Sequence, residues 1–460
     1  MKKHNGWSYQ LFAAPFLDRG DINICRIVPK ENAILLEWNS CEECGIFCRE
    51  RGKGNFEYAG KTSLAEYEIT GLSCGREYEF YVQSGEKRSL VRLARTGTCE
   101  GTAVNYLHPD DGAYAFSGRF LCSPSLLIHP DGYMLASMDL FAPEYPQNLT
   151  LLFRSDDDGE SWHAESELFP CFWGKLFIHR NVVYMIAVST EYGDLMIGKS
   201  DDGGRTFGEP HVLLRGLNGK HGAPGVHKTP MPLLTYGGRL WMSMEWGSWG
   251  SGYHAVMVAS APEDADLTCS ESWTFSQPVK YDSGWPGVPK GESFGNIEGE
   301  LLVIDGKLHN IMRYSMENLQ RKYGLVVDYL VDTARPDAPL KYNGCIEFPC
   351  NNSKFEMMYD EVSGKYIAIG SRICDETKLS ARNLLSLLVS DDGKKWRVAS
   401  DIIDKRAEDC TKVGFQYISM AVEGDDLVFL CRTAMNGADS YHNSNYITFH
   451  RIKDFRRLID

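Results

Sequence analysis

The chain has 460 residues, of which 43% are hydrophobic and 12% aromatic, so it can bury a sizeable core and exceeds one ordinary domain. Its formal net charge of -14 argues against non-specific binding to nucleic acid or to an anionic membrane surface. We therefore expect a small domain followed by a large one, with neither nucleic acid nor a membrane as partner.

The sequence carries no signal for a membrane span, a secretory leader or a bound cofactor. No stretch of about 18 apolar residues occurs, and residues 1–10 hold two lysines but no apolar segment, which predicts a cytoplasmic location. The cysteines are then expected to be reduced; Cys41, Cys44 and Cys48 lack a second pair at zinc-site spacing. Without a phosphate loop, a His-Glu-x-x-His motif or a calcium loop, we expect no metal and no other cofactor.

Residues 1–100 have the pattern of a small β-sandwich. Ile34–Trp38 alternates as a strand with a tryptophan for the core, and Tyr78–Val82 reads as a second strand. The spacing from Leu72 to Tyr78 resembles the fibronectin type III family, in which such a tyrosine closes a corner between strands. The resemblance implies a spacer or a packing partner for the next domain, with sugar binding as the alternative.

Residues 101–460 repeat one strand–turn–strand pattern six times. Each copy starts at a polar or aromatic residue, crosses an apolar strand, turns, and ends at another polar residue. The starting points lie roughly 50 to 70 residues apart, the spacing of four-stranded propeller blades with loop insertions. The sequence therefore predicts an all-β chain, a six-bladed β-propeller preceded by a small β-sandwich. The copies run from Ser123 to Asp139, Trp173 to Glu191, His227 to Glu245, Asn296 to Arg313, Lys354 to Arg372 and Gln416 to Arg432.

Turns of the Asp-box type recur in this large domain. Two complete copies run from Ser155 to Trp162 and from Ser200 to Phe207, and a shorter third copy ends at Trp396. In such a turn the Asp and Ser side chains bind local backbone amides, Gly adopts a left-handed conformation, and the aromatic ring fills the blade. These turns indicate the fold and are not candidate catalytic residues.

Together these features resemble the sialidase superfamily (the Asp-box or BNR-repeat propellers) over residues 103–460. Glu298, Arg313, Arg382 and Tyr417 stand where that family carries its glutamate, two of its substrate arginines and its tyrosine nucleophile. The resemblance implies a six-bladed propeller with glycosidase activity.

Two departures mark the chain as a divergent, sialidase-like protein. The family's opening Arg-Ile-Pro is replaced here by Cys122-Ser-Pro124, so one carboxylate-binding arginine is missing. The acid/base aspartate has no clean match, and Asp139 is the candidate for it. We therefore do not expect sialic acid itself as the substrate.

Equivalent ends of the inner strands meet at one mouth of a propeller, so side chains far apart in the chain should converge there. A purely structural ring would be small or apolar, because crowded charges without partners destabilise a fold. The charged composition of these positions thus favours a functional site. We predict a first ring of Ser123, Trp173, His227, Glu298, Lys354, Gln416 and Tyr417, and a second ring of Asp139, Glu191, Glu245, Arg313, Arg372 and Arg432.

Glycoside cleavage generally needs one protonated carboxyl group and a second group that acts as nucleophile or base. In the scheme that the family implies, Tyr417 attacks the anomeric carbon, Glu298 removes its proton and Asp139 protonates the leaving oxygen. In a second scheme, Glu298 and Glu245 form a conventional carboxylate pair. We favour the first scheme and expect an exo-acting hydrolase that removes a terminal acidic sugar from oligosaccharides or small glycosides.

Substrate binding is assigned to cations, aromatic rings and amides expected near the mouth. Guanidinium forks suit carboxylates and paired hydroxyls, and an indole ring suits the face of a sugar. The predicted contacts are Arg313, Arg382, Arg432, Lys354, Trp173, Gln416, His442 and Asn445.

Two other functions stay open on sequence alone. A lyase acting on a uronic acid would use His227 or Tyr417 to remove the C5 proton, while Arg313 and Arg382 neutralise the carboxylate. A non-catalytic carbohydrate-binding propeller would instead keep its carboxylates paired with cations. Carbohydrate is the predicted partner in each case, and the sequence indicates no oligomeric state.

Overall fold

The computed structural model describes residues 7–9, 21–217, 222–314, 318–319 and 323–460, and nearly all of its elements are β-strands. The exceptions are one short helix, α1, and 3-10 turns at Gly112–Tyr114 and Ser270–Ser272. Helix α1 spans Arg456–Ile459. Among the residues described, no helix has the length and apolar character that a bilayer crossing requires. The chain is nearly all-β, as the sequence predicts.

Two sheets form an N-terminal module over residues 21–100. One pairs β2, β3 and β6, and the other pairs β5, β4, β7 and the short β8 and β9. Trp38 and Phe80 lie in its hydrophobic core, and the Tyr78 hydroxyl accepts a hydrogen bond from the Ser73 amide at 2.9 Å. The first strands are β1 (Ser8–Tyr9), β2 (Ile24–Pro29), β3 (Ala33–Trp38), β4 (Cys44–Glu50), β5 (Glu57–Thr62), β6 (Glu66–Thr70), β7 (Glu77–Ser84), β8 (Lys87–Arg88), β9 (Arg92–Arg95) and β10 (Thr102–Tyr106).

Six larger sheets follow one another along the described part of the chain. Each is antiparallel and is built mainly from consecutive strands. Sheet 1 contains β11 (Phe120–Ile128), β12 (Met134–Phe141), β13 (Thr150–Ser155) and β14 (His163–Leu168); sheet 2 contains β15 (Phe172–His179), β16 (Val182–Val188), β17 (Leu195–Ser200) and β18 (His211–Leu214); sheet 3 contains β19 (Gly225–His227), β20 (Leu233–Tyr236), β21 (Arg239–Ser248), β22 (Tyr253–Pro262) and β23 (Thr274–Phe275).

The remaining sheets repeat the same order. A short ribbon between them pairs β24 (Gly291–Glu292) with β27 (Asn318–Leu319). Sheet 4 contains β25 (Asn296–Ile304), β26 (Lys307–Tyr314), β28 (Leu325–Leu330) and β29 (Lys341–Glu347); sheet 5 contains β30 (Glu356–Asp360), β31 (Lys365–Ser371), β32 (Leu384–Ser390) and β33 (Arg397–Asp404); sheet 6 contains β34 (Gly414–Glu423), β35 (Asp426–Ala434) and β36 (Tyr446–Ile452).

The first and last strands of the large domain share one sheet. Strand β10 pairs with β36, with Tyr106 opposite Tyr446, so the chain supplies the fourth strand of sheet 6 before it enters sheet 1. Strand β1 extends sheet 1 by pairing with β14. The pairing of β10 with β36 ties the two ends of the domain together and covers the outer edge of β36.

Hydrophobic clusters join the six sheets into a ring. Each cluster is shared by two sheets that are consecutive in the chain, and one joins sheet 6 back to sheet 1. In that last cluster, Trp162 of the first Asp-box packs against Phe449 of β36 at 5.7 Å between ring centroids. The core therefore lies between the sheets, and the first strand of each sheet faces the axis of the ring.

Buried polar side chains lie two positions beyond the first ring on the inner strands, and some of them accept hydrogen bonds from the backbone of the next sheet. We call these positions the deep ring: Ser125, Lys175, Thr229, Glu300, Glu356 and Ser419. Ser125 Oγ accepts from Leu176 N at 2.9 Å, Glu356 Oε1 accepts from Met420 N at 2.8 Å, and Ser419 Oγ accepts from Leu126 N at 3.0 Å. These contacts fix the spacing of the inner strands around the axis.

The packing of Trp162 generates a stability prediction. Trp162 is fully buried between sheets 6 and 1, so Trp162→Ala should lower the free energy of unfolding by about 3–5 kcal/mol. The matched control is Tyr58→Ala, because Tyr58 is 59% exposed and its loss should change stability by less than about 1 kcal/mol. Denaturant unfolding measures both values, and equal effects of the two substitutions would contradict the packing described here.

Candidate active site

Four inner strands carry a β-bulge at the same depth in the ring, and each bulge contains a left-handed residue. The four residues are not glycines, and such a backbone conformation is strained for them, a feature that is concentrated at functional sites. All four belong to the first ring predicted from the sequence. They are Ser123 (φ 50°), Trp173 (φ 52°), Glu298 (φ 58°) and Tyr417 (φ 53°).

Two of these strained residues are held by a carboxylate from the preceding sheet. Asp139 Oδ2 accepts a hydrogen bond from the Trp173 amide at 2.8 Å, and Glu245 Oε1 accepts one from the Glu298 amide at 2.9 Å. The two acids occupy equivalent places, since Asp139 lies opposite Cys122 and Glu245 lies opposite His227 in their hairpins. Both carboxylates thus help to set the backbone that presents a neighbouring side chain.

Asp139 does not fit the acid role that the first scheme gives it. The residue is fully buried, and its other oxygen, Oδ1, accepts from Thr150 Oγ1 at 2.5 Å. Burial raises the pKa of Asp139 to about 7, although hydrogen bonds from Thr150 and Trp173 oppose the shift. Because both oxygens are occupied and neither reaches solvent, we correct the role of Asp139 to that of a residue that positions Trp173.

His227 and Glu245 form a buried pair at the mouth. His227 Nδ1 lies 2.5 Å from Glu245 Oε2, and burial raises the pKa of Glu245. Among the described residues, His227 Nε2 has no hydrogen-bond partner. The imidazole packs edge-on against Trp173 at 4.5 Å and His254 at 5.0 Å between ring centroids. This arrangement fixes one imidazole nitrogen and leaves the other for a ligand.

Glu298 is paired with Arg313 across the β25–β26 hairpin. Arg313 Nε donates to Glu298 Oε2. Burial raises the pKa of Glu298, but Arg313 outweighs that effect, so the pKa is lowered and the carboxylate stays ionised. In the described part of the chain no hydrogen bond joins Glu298 to the Tyr417 hydroxyl. Each acid of the second scheme has its own partner, Arg313 for Glu298 and His227 for Glu245, and the role of the two as a carboxylate pair stays a prediction.

Three guanidinium groups surround the half-buried ring of Tyr417. The guanidinium carbons of Arg432 and Arg382 lie 5.1 and 5.9 Å from the ring centroid. Burial opposes the charge of Arg313, but Glu298 and then Tyr417 lie close enough to raise its pKa. Residues from sheets 4, 5 and 6 therefore meet around one phenol.

Two of these arginines have a buried nitrogen without a partner. Arg382 Nη1 donates to the Gln416 side chain and Arg432 Nη2 donates to the His442 carbonyl, yet the Nε of each arginine is unpaired within the described residues. Burial lowers the pKa of Arg382, and its arginine neighbours add to that effect. A buried cation with an unused donor is costly, so this side of the mouth is suited to an anionic ligand.

His442 lines the same side without adding charge. Its ring meets Phe141 edge-on at 5.4 Å between centroids. Burial, followed by the proximity of Arg432 and Arg382, holds the pKa of His442 well below its usual range. The imidazole is therefore neutral and can accept or donate a hydrogen bond beside the arginines.

Three predicted binding residues lie deeper than a substrate would reach. Lys354 is 1% exposed and donates to the Ile418 carbonyl at 2.6 Å and to Glu356 Oε2 at 3.1 Å. Gln416 is fully buried beneath Tyr417, and buried Asn445 donates to the Met435 carbonyl at 2.8 Å. We therefore correct their predicted role from substrate binding to support of the inner strands and loops.

Two members of the predicted second ring bind elsewhere. Arg372 Nη2 lies 2.6 Å from Asp401 Oδ2 on the outer strand β33, away from the axis. Glu191 accepts a hydrogen bond from Gln147 Nε2 at 2.8 Å. The position opposite Phe172, where the second ring would place Glu191, is occupied by Val188. The second ring is therefore made by Asp139, Glu245, Arg313 and Arg432.

Several residues of the site were missed in the sequence. The deep ring lies two positions beyond the first ring, so the period of a strand could have located Lys175 and Glu300. Tyr192, by contrast, lies on a loop and meets His254 of strand β22, with Tyr192 Oη 3.2 Å from His254 Nε2. In the described ranges no group of three or more His, Cys, Asp or Glu side chains is arranged to hold a metal ion.

Comparison with known proteins shows a common fold at low identity. An alpha-L-arabinanase of Penicillium chrysogenum complexed with arabinobiose is 14% identical, with TM-score 0.50, over 78% of this chain and 98% of its own. A Hadza microbial sialidase is 12% identical, with TM-score 0.52, over 98% of each chain. An alpha-L-arabinofuranosidase from Fusarium graminearum is 11% identical, with TM-score 0.52, over 78% of this chain and 99% of its own.

No family model and no curated protein matches the chain. At these identities the structural likeness shows the fold alone. The chain is similar to β-propeller enzymes in fold.

The raised pKa of Asp139 predicts a pH-dependent contribution to stability. The unfolded chain releases this proton near about pH 4, whereas the folded protein holds it to about pH 7. Between these values the folded state binds more protons, so this contribution to the free energy of unfolding decreases as pH rises. Asp139→Asn removes the titration, and the wild type should lose stability relative to this variant by up to about 1.4 kcal/mol per pH unit.

Denaturant unfolding of both proteins at several pH values between about 4 and 7 tests this expectation. Thr150→Val is the matched control, since it removes the hydrogen bond to Asp139 Oδ1 without removing the titrating group. Parallel pH profiles for the wild type and Asp139→Asn would show that Asp139 titrates normally.

Proposed function

We propose that the protein is an exo-acting glycoside hydrolase that removes a terminal acidic sugar from oligosaccharides or small glycosides. In this proposal the six sheets are the blades of a divergent sialidase-like propeller, and residues 21–100 are a separate fibronectin type III-like sandwich. The observation that carries the proposal is the convergence of Arg313, Arg382 and Arg432 on the half-exposed phenol of Tyr417.

The arginines match both the substrate and the chemistry. A carboxylate on the sugar would lie beside the guanidinium groups of Arg382 and Arg432, where the opposite charges attract. The same charges would offset the negative charge that develops on the substrate carboxylate and at the mouth during attack by Tyr417. The glycosidases of similar fold support this reading by analogy only, because a fold hosts many activities.

In the proposed mechanism, Tyr417 Oη attacks the anomeric carbon and its proton passes to Glu298, which is ionised by its pairing with Arg313. His227 in its doubly protonated form donates the Nε2 proton to the leaving oxygen, and Glu245 stabilises that imidazolium. In the second step neutral His227 takes a proton from water, the resulting hydroxide displaces Tyr417, and Glu298 returns the proton to the phenolate. His227 thus replaces Asp139 as the acid/base.

A uronate lyase is the second candidate, and the His227–Glu245 pair favours it. Glu245 holds Nδ1 and directs Nε2 towards the mouth, as a base that removes a C5 proton requires. The arginines would then stabilise the enolate formed at the carboxylate. We rank it second because it gives no role to the strained backbone of Tyr417.

The hydrolase proposal predicts separate effects at the nucleophile and at the carboxylate site. Tyr417→Phe should lower kcat by at least about 10³-fold, since the attacking oxygen is lost. Arg382→Gln should lower kcat/KM by roughly 10- to 100-fold on an acidic glycoside and by far less on its methyl ester, which lacks the charge. Aryl glycosides of glucuronic, galacturonic and sialic acid, with the methyl ester of each, serve as substrates. Equal losses on acid and ester would contradict carboxylate recognition by Arg382.

A labelling experiment separates hydrolysis from elimination. A hydrolase should transfer heavy oxygen from labelled water to the anomeric hydroxyl of the released sugar, with no unsaturated product. A lyase should yield an ultraviolet-absorbing unsaturated uronate without that label. Mass spectrometry of the products of an oligosaccharide digest distinguishes the two, and a label-free unsaturated product would exclude the hydrolase.

A further inference from the structure

One tryptophan at the mouth is exposed, although the chain buries its other tryptophans. Trp249 is 43% exposed, whereas the other nine are buried or partly buried. A single exposed ring is not unusual, but this indole lies against the rings of His254 and Phe294, where a bound ligand could cover it. Sugars provide such an explanation, because their C–H faces pack on flat aromatic rings.

The turn that carries Trp249 is held rigidly. Ser248 N donates to Ser251 Oγ at 3.0 Å, Ser251 N donates to Ser248 Oγ at 2.9 Å, and Ser248 Oγ donates to the Ala223 carbonyl at 3.1 Å. The Trp249 amide also donates to Tyr192 Oη at 3.4 Å. A ring fixed in this way loses little entropy when it binds a ligand.

Edge-to-face contacts connect Trp249 to the proposed acid/base. Its ring lies 4.6 Å from His254 and 5.8 Å from Phe294, at interplanar angles of 71° and 80°. His254 in turn lies 5.0 Å from His227. Buried His254 Nδ1 has no partner among the described residues, and burial lowers the pKa of His254 to about 2, so the imidazole is neutral.

The mouth therefore has two chemically different sides. Arginines from sheets 4, 5 and 6 gather around Tyr417, whereas aromatic rings from sheets 2 and 3 gather around His227. In a ring of six sheets, sheet 3 lies across the axis from sheet 6, which carries Tyr417. The aromatic side consists of Trp173, Tyr192, His227, Trp249, His254 and Phe294.

We infer that Trp249 stacks on the sugar that leaves, and that this sugar is a neutral one. An in-line displacement puts the leaving oxygen on the side of the anomeric carbon away from the nucleophile, which here is the side of His227 and Trp249. Among the described residues, no lysine or arginine is part of the aromatic cluster, and Arg313, whose charge reaches His254, is paired with Glu298; the cluster therefore suits an uncharged pyranose rather than a second acidic residue. This inference rests on the proposed function, since it uses Tyr417 as nucleophile.

The test measures binding and turnover separately. Calorimetry on Tyr417→Phe compares, for glucuronic, galacturonic and sialic acid, the methyl glycoside with the disaccharide to galactose. For the sugar that binds, the disaccharide should bind about tenfold more tightly than the methyl glycoside. Adding Trp249→Ala should remove this advantage without weakening the methyl glycoside, and Trp249→Phe should retain part of it. The control is Tyr359→Ala, which removes another exposed aromatic side chain, on strand β30 of sheet 5.

The outcomes distinguish the two proposals. Equal weakening of both ligands, no weakening of either, or no binding of any probe would overturn the role of Trp249. Binding that depends on Trp249, with no cleavage of any disaccharide by the wild type, would overturn the hydrolase and retain the stacking site. Cleavage with kcat/KM reduced by Trp249→Ala only for disaccharides is the expected result.

Discussion

The candidate site depends on hydrogen bonds that pass from one inner strand to the backbone of the next sheet. Asp139 and Glu245 each accept an amide proton from a left-handed residue of the following sheet, Trp173 and Glu298. A left-handed non-glycine residue is strained by roughly 1–3 kcal/mol and persists only where its surroundings over-determine it. Hydrogen bonds to carboxyl groups contribute energies of that size. The strain at the mouth is thus offset locally, by side chains that never touch a substrate.

Hydrogen bonds between inner strands of different sheets also explain why so many charged side chains lie near the axis. Lys175 and Lys354 are buried there with Glu300 and Glu356, and burial lowers the pKa of Lys175 while it raises that of Glu300 well above its ordinary value. Such groups destabilise a fold unless they are paired and hydrogen-bonded. Here Lys354 donates to the Ile418 carbonyl and Glu356 accepts from the Met420 amide, which links sheet 5 to sheet 6. Lys175 donates to Ser419 Oγ, which links sheet 2 to sheet 6. An acidic or basic residue on an inner strand is therefore as consistent with support as with catalysis.

That ambiguity sets the limit of what the sequence could predict. Hairpins, their spacing and the first ring follow from apolar periodicity and turn residues, and these local signals placed Glu298 and Tyr417 at equivalent positions. The role of Asp139 could not be predicted from the sequence, because it depends on a hydrogen bond from the Trp173 amide. That amide is 34 residues away and comes close only in the folded ring. Arg372 was misplaced for a similar reason: it follows its strand and turns outward to Asp401. Tyr192 and Trp249 reach His254 from loops, for which no periodic pattern exists.

The division of the mouth into a cationic and an aromatic side follows from which loops each sheet contributes. Arg382 precedes β32 and reaches Tyr417 through its backbone contact with Phe415, whose amide donates to the Arg382 carbonyl at 2.7 Å. Trp249 instead lies on the β21–β22 turn, anchored to Tyr192. Within the described residues no hydrogen bond or ring contact joins the two loops, so their chemistry can change independently on the same ring. In the proposed function, recognition of the acidic group and of the departing sugar are therefore separate properties, and Glu245 holds the His227 that would act on the bond between them.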